Sequence, residues 1–204
     1  PIYLDPVVGW ALVLALVQRV ALAIASWFSL RALPRLPFYD GQFPDSFFPE
    51  NPSIDGWVRW DATHYINLAR FGHGDGNPSP GEGWGFFPLY PLLMRGLAES
   101  LFLPITEQNL ALAGLVISNL CFIALIILIA RWSAQLFGDE AARSTVLLLC
   151  LSPFAFFFNA AYTESLFLLL AVATLMLASS NKFIAAGAVA GLATATRLVG
   201  LALI

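Results

Sequence analysis

Residues 110–132 read LALAGLVISNLCFIALIILIARW, an almost unbroken apolar run closing on Arg131 and Trp132. A helix that crosses a bilayer needs about 20 mostly apolar residues, and a basic residue beside an aromatic one is what a membrane interface selects. Working outward from this stretch, the pattern recurs over about Val7–Leu30, Ala142–Phe158, Glu164–Leu177 and, after the turn Ser179–Lys182, from Phe183 to the end of the chain. The third segment is short and contains Pro153, which predicts a kink near its outer end or a partly re-entrant piece. Together these runs predict an all-α polytopic membrane protein with about five transmembrane helices.

Composition supports the same class. The chain is 59% hydrophobic and 11% charged, with mean hydropathy +0.77, whereas a soluble domain carries about a quarter charged residues. A formal net charge of −3 with scattered basic residues leaves no footprint for nucleic acid, so the expected partners are membrane lipids and small molecules. Cys121 and Cys150 lie in apolar runs, where a thiol behaves as a small hydrophobe. The chain opens on proline and stops inside an apolar run, and residues 1–204 are read as a single N-terminal portion with helices expected beyond Ile204.

The stretch 31–108 differs from everything around it, holding nine of the thirteen acids and both histidines. A loop of this length in a compact protein is usually functional. Pro34–Pro52 reads as irregular, Asp61–Phe71 as a helix, Gly72–Gly85 as glycine and proline punctuation, and Pro88–Phe102 as an interfacial helix with Leu92, Leu93 and Leu97 on one side. Arg131, Arg143 and Lys182 sit in short connections that positive charge assigns to the inside. This predicts a cytoplasmic N-terminus, residues 31–108 external, and a cytoplasmic membrane as the location.

Charge within a span is costly enough to suggest function. Arg197 lies fourteen residues into the fifth segment, about 20 Å from the inner turn at ~1.5 Å per residue, and Glu164 opens the fourth from the outer side. Both approach the acid-rich loop, where they pair with each other or meet a ligand. Arg19, near the middle of the first helix, is expected to pair or snorkel. The sharpest cluster is Arg59-Trp60-Asp61-Ala62-Thr63-His64-Tyr65. Asp61 and His64 share a helical face, and Asp61 reads equally as an N-cap or a base. His73 reads as a solvated residue of a glycine-rich turn. Asp61, His64 and His73 make a poor metal set, so no cofactor is expected for certain, with a divalent cation held by Asp61 and a second acid as the open alternative.

RWDATHY (59–65), INLARFG (66–72), GFFPLYPLLMR (85–95), YTESLFLLL (162–170) and ATRLVG (195–200) occur in this order, and this succession resembles the family of the second mannosyltransferase of glycosylphosphatidylinositol-anchor synthesis and its bacterial relatives. The resemblance runs from about residue 57 to the end. It implies a GT-C-like fold, a polyprenyl-phosphate sugar as donor and a lipid-linked or glycan acceptor. It also places Asp61 at the family's essential external acid. Arg59, His64, Tyr65, Arg70, Tyr162, Glu164 and Arg197 are then candidates for substrate binding, Arg59 and Arg70 having a plain headgroup contact as their simpler role. The implied reaction is an inverting transfer of a sugar, mannose above all, with Asp61 as general base. A transporter or lipid flippase using Arg19, Glu164 and Arg197, or a non-catalytic scaffold, are the competing classes. Against transport, the acids gather in one external loop and no inverted repeat is visible.

Overall fold

A computed structural model describes residues 5–33, 46–74, 77 and 83–204. Among these only helices and turns occur. They are α1 (Pro6–Ala32), α2 (Pro52–Asp55), α3 (Asp61–Phe71), α4 (Leu89–Ser100), α5 (Glu107–Phe137), α6 (Asp139–Leu151), α7 (Glu164–Ser179) and α8 (Phe183–Thr194). Short 3-10 segments cover Pro153–Phe158 and Leu198–Leu203. The irregular stretch expected over Pro34–Pro52 and the punctuation of Gly72–Gly85 lie partly outside the described residues.

α1 and α5 are each long and apolar enough to cross a membrane, while α7 and α8 are apolar but shorter. α5 outruns its expected span at both ends. Thr106 caps its start by accepting a hydrogen bond from Asn109 N at 3.2 Å, and Gly138, at φ 86°, takes the left-handed position that ends it. Two cores share this helix. Its first half packs with α3, α4 and residues 160–166 through Ile66, Tyr90, Met94 and Leu110. Its second half packs with α1 and α6 through Val8, Phe122, Leu125 and Val146. Gly114 brings the first group close, because a Cβ there would meet the Tyr90 hydroxyl at 3.1 Å and the Ala161 methyl at 3.3 Å.

Two expected spans are interrupted. The third stops at Leu151, since the residue before Pro153 is driven out of the helical region. Ser152 accordingly takes φ −54° and ψ 138°, its hydroxyl accepts from Phe154 N, and a 3-10 segment follows. The fifth does not run on to the chain end: α8 stops at Thr194, and Arg197 is extended at φ −153°, ψ 140°. Near the break, Thr194 and Thr196 turn their hydroxyls back onto the carbonyls of Ala190 and Ala193 at 3.0 and 2.6 Å. The break frees the Ala195 carbonyl, which accepts from Leu89 N at 2.9 Å and ties α4 to this point.

Candidate active site

The polar residues singled out in the sequence gather mostly at one end of the bundle, around the start of α3. Asp61 is the first residue of that helix and is exposed. It is therefore not the N-cap. Trp60 holds that position with φ 50° and ψ −118°, a left-handed conformation that a bulky residue rarely adopts. Such backbone strain costs of order 1–3 kcal/mol and persists only where the surroundings over-determine it. Here the Arg59 carbonyl on its N-terminal side accepts from Ala62 N at 3.1 Å and from the Tyr162 hydroxyl at 2.8 Å. The indole packs edge-on against Phe156.

Tyr162 stands on the connection between the 3-10 segment and α7, which the upper core positions from below. Ser118 of α5 donates to the Tyr162 carbonyl at 2.9 Å, and the Tyr90 hydroxyl lies 2.8 Å from both Ser118 Oγ and the Gly114 carbonyl. From the other side, Ala161 N donates to the Trp57 carbonyl at 3.0 Å. Tyr65, one turn into α3, meets Thr163 Oγ1 at 3.3 Å and packs edge-on against Phe86 and Tyr90. Burial pushes the Tyr65 hydroxyl up to about 12, with the Glu164 and Asp61 carboxylates adding to the rise. Burial, and then Asp61, raises Tyr162 as well. All of these tyrosines are neutral donors at physiological pH.

Glu164 opens α7 and Arg197 sits at the break after α8; they form an ion pair at 2.5 Å, with the two side chains 29% and 41% exposed. Oε1 of Glu164 takes the guanidinium, while Oε2 is buried without a hydrogen-bond partner among the described residues. The charge of Asp61 acts on Tyr65, Tyr162 and Arg197 alike. Asp61, Tyr65, Tyr162, Glu164 and Arg197 thus form one electrostatic neighbourhood, drawn from three stretches of chain.

The remaining candidates are placed differently. Arg59 turns away to Asp55, with which it makes a short ion pair. His64 stacks on Phe86 with centroids 4.4 Å apart. Arg70 lies at the far end of α3, paired with Glu107 at 2.6 Å, and His73 meets the Phe86 carbonyl at 3.1 Å. Arg19 reaches the Asn159 side chain and the Phe158 carbonyl. Sequence reasoning passed over Asp55, although its four-residue spacing from Arg59 is an ion-pair signal. It also passed over the Tyr90–Ser118 bracket, which no local pattern announces. Among the described residues no group of three or more His, Cys, Asp or Glu side chains comes together to ligate a metal.

The described residues form an all-helical fold with two helices long and apolar enough to cross a membrane and a polar cluster at one end. Residues 46–204 match the family model described as Mannosyltransferase (PIG-V), and the chain belongs to that family. It is 26% identical over 171 residues to GPI mannosyltransferase 2 of Drosophila pseudoobscura pseudoobscura, covering 76% of this chain and 37% of that protein. It is 28% identical over 155 residues to GPI mannosyltransferase 2 of Yarrowia lipolytica, covering 76% and 40%. With GPI alpha-1,6-mannosyltransferase 2 of Mus musculus the identity is 27% over 154 residues, covering 72% and 30%. The chain thus spans 30% to 40% of the length of these relatives. No solved structure matches it.

Proposed function

We propose that the protein transfers mannose from a polyprenyl-phosphate donor to a lipid-linked or glycan acceptor, with inversion, and that Asp61 is the general base. The observation that carries this reading is the exposed Asp61 carboxylate, set at the start of α3 beside Tyr65, Tyr162 and the Glu164–Arg197 pair. Membership of a mannosyltransferase family and the names of the relatives support the sugar.

In the reaction the acceptor oxygen attacks the anomeric carbon, its proton passes to Asp61, and the bond from that carbon to the phosphate oxygen breaks. The bonding pair leaves with the polyprenyl phosphate. Because that leaving group is good, the residues mainly align and deprotonate the acceptor. Arg197 is suited to steady the departing phosphate, since guanidinium matches its oxygens. The unpartnered Oε2 of Glu164 offers an acceptor for a sugar hydroxyl. Tyr162, its one O–H given to the Arg59 carbonyl, and Tyr65, set against Thr163, hold the backbone and packing beneath Asp61.

The same reading sets the site at the external face of the cytoplasmic membrane or an equivalent lumen, with 31–108 as the external loop. The span count of about five treats α6 with its following 3-10 segment, and α8 with the residues after its break, as interrupted crossings. Irregular backbone at membrane depth is tolerated where protein or a cavity covers it.

The test is transfer of label from polyprenyl-phosphate mannose into a native lipid extract, comparing wild type with Asp61→Asn in membranes. Loss of about 10²–10⁴-fold, the usual worth of a positioned base, is expected with insertion unchanged. Equal transfer by both proteins removes Asp61 from the chemistry. Passage of lipid or sugar across sealed vesicles without a new glycosidic bond replaces the enzyme with a transporter.

A further inference from the structure

Arg19 occupies the middle of α1, away from the cluster around Asp61, and the proposed transfer does not use it. Its hydrogen-bond partners are neutral: one guanidinium nitrogen donates to Asn159 Oδ1 and another to the Phe158 carbonyl at 3.1 Å. The face of the guanidinium lies 3.9 Å from the Phe122 ring centroid. Among the described residues it makes no ion pair with a carboxylate. Carbonyl and amide oxygens satisfy N–H groups without cancelling the charge, and an uncompensated cation in a membrane domain is costly.

The guanidinium borders an open-sided cavity of about 240 Å³, lined by Arg19, Ala23, Trp57, Leu115, Asn119 and Asn159. That is well above the ~10–15 Å³ a single water needs. The polar part of the wall is Arg19 with the amides of Asn119 and Asn159, the Asn119 NH2 donating to the Leu115 carbonyl at 2.8 Å. Guanidinium has five N–H groups and no acceptor, so the Asn159 amide must turn its oxygen to Arg19 and its NH2 elsewhere. The cavity sits between α1 and α5, and Trp57 and Asn159 bring its wall to the chain segments that carry Arg59 and Tyr162.

We infer that this cavity binds the phosphate of an anionic lipid, which enters from the side of α1. The phosphate supplies the missing negative charge and acceptor oxygens, and Arg19 presents it with a planar donor fork. The exposed α1 side chains Val20 and Ile24 flank this position as apolar surface along which lipid tails lie. The shared chemistry is a phosphate esterified to a lipid, carried either by a glycerophospholipid or by a polyprenyl phosphate. In the second case the cavity is a holding site for the spent carrier, separate from the reacting phosphate at Arg197, and the inference then rests on the proposed donor.

The experiment measures lipid retention on the purified full-length protein by native mass spectrometry, without turnover, so it stands or falls separately from the transfer reaction. The probes are phosphatidylglycerol and a polyprenyl phosphate, with phosphatidylcholine as the zwitterionic reference and inorganic phosphate as competitor. Arg19→Gln is expected to lose at least about tenfold in affinity for anionic lipid, in line with loss of a charge-assisted hydrogen bond, and Arg19→Lys to keep part of it. Ala23→Leu fills the cavity while leaving the Arg19 tether in place, and it is expected to weaken retention even if Arg19→Gln does not fold. Preference for polyprenyl phosphate assigns the site to the spent carrier, and preference for phosphatidylglycerol to a structural phospholipid. Unchanged retention in Ala23→Leu overturns the cavity as the seat. Competition by inorganic phosphate without retention of either lipid overturns the lipid assignment.

Discussion

Asp55 and Asp61 stand six residues apart and have opposite fates. Asp55 is 1% exposed; Oδ1 accepts the backbone N–H groups of Phe47 and Phe48 at 2.8 and 3.0 Å, and Oδ2 pairs with Arg59. Asp61 is open to its surroundings at the first turn of α3. The lesson is that one acid has its lone pairs consumed by the fold, which fixes the loop on which the other is displayed. The two substitutions should therefore separate activity from stability. Asp61→Asn is expected to give the largest loss of transfer, about 10²–10⁴-fold, with a thermal midpoint near wild type. Asp55→Ala is expected to destabilise by about 3–5 kcal/mol, because it removes the buried partner of Arg59 and leaves the Phe47 and Phe48 amides without their acceptor. Its residual activity should follow the folded fraction. Denaturation midpoints and transfer rates measured on the same preparations decide this, and a stable but inactive Asp55→Ala breaks the contrast.

The arginines repeat the contrast at smaller scale. Arg59 meets a buried acid, whereas Arg197 meets the partly exposed Glu164, whose second oxygen has no partner among the described residues. If Glu164 and Arg197 act as a unit on substrate, Glu164→Gln, Arg197→Gln and the double variant should be non-additive in transfer, with a coupling of about 0.5–3 kcal/mol. In stability the same pair should count for about 1 kcal/mol or less, as exposed pairs do. Additive losses in transfer mean that the two residues serve separate steps.

Much of this arrangement was legible in the sequence, for identifiable reasons. The long helices α1 and α5 follow from hydropathy alone, since burial in lipid asks only for length and apolar character. That Glu164 and Arg197 approach the same end followed from their depth, with an ion pair as one of two readings, and the structure shows the pair. The breaks at Ser152 and Ala195 were only half legible: Pro153 marks the first, whereas no proline marks the second. Asp61 read equally as an N-cap or a base, and the structure gives the cap position to Trp60. The positive φ of Trp60 displaced it by one residue, a strain that no local signal announces. The Tyr90–Ser118–Tyr162 bracket joins residues far apart in sequence, and such contacts emerge only from packing.

The tyrosines allow a pH test of the packed side of the site. The Tyr65 hydroxyl is pushed up to about 12 by burial, against about 10 in an unfolded chain. Because the folded value is the higher, its contribution to stability is fully present below pH 10 and is lost as pH rises toward 12. Tyr90 and Tyr162 are raised in the same sense. Tyr65→Phe should therefore lessen the fall in stability between pH 10 and 12 by as much as one proton's slope, about 1.4 kcal/mol per pH unit. At neutral pH it should cost about 0.5–1.5 kcal/mol through the lost contact with Thr163. Denaturant midpoints across pH 8 to 12 make the comparison, and identical slopes would detach Tyr65 from the alkaline transition.

The smallest effect is expected at the far end of α3. Arg70 and Asp61 belong to one helix but lie nine residues apart, about 13 Å along the axis at 1.5 Å per residue. Arg70 pairs with Glu107 while both side chains remain more than one-third exposed, and Arg95 reaches the Arg70 carbonyl at 3.5 Å. An exposed pair of this kind contributes at most about 1 kcal/mol and is screened by salt. Arg70→Gln should shift stability by no more than that, by less at 0.5 M salt, and leave the transfer rate within about twofold. If Arg70 instead holds the donor phosphate, the same substitution raises the KM for polyprenyl-phosphate sugar while kcat at saturation is preserved. A KM unchanged in Arg70→Gln but raised in Arg197→Gln would confine phosphate recognition to the Asp61 end of the helix.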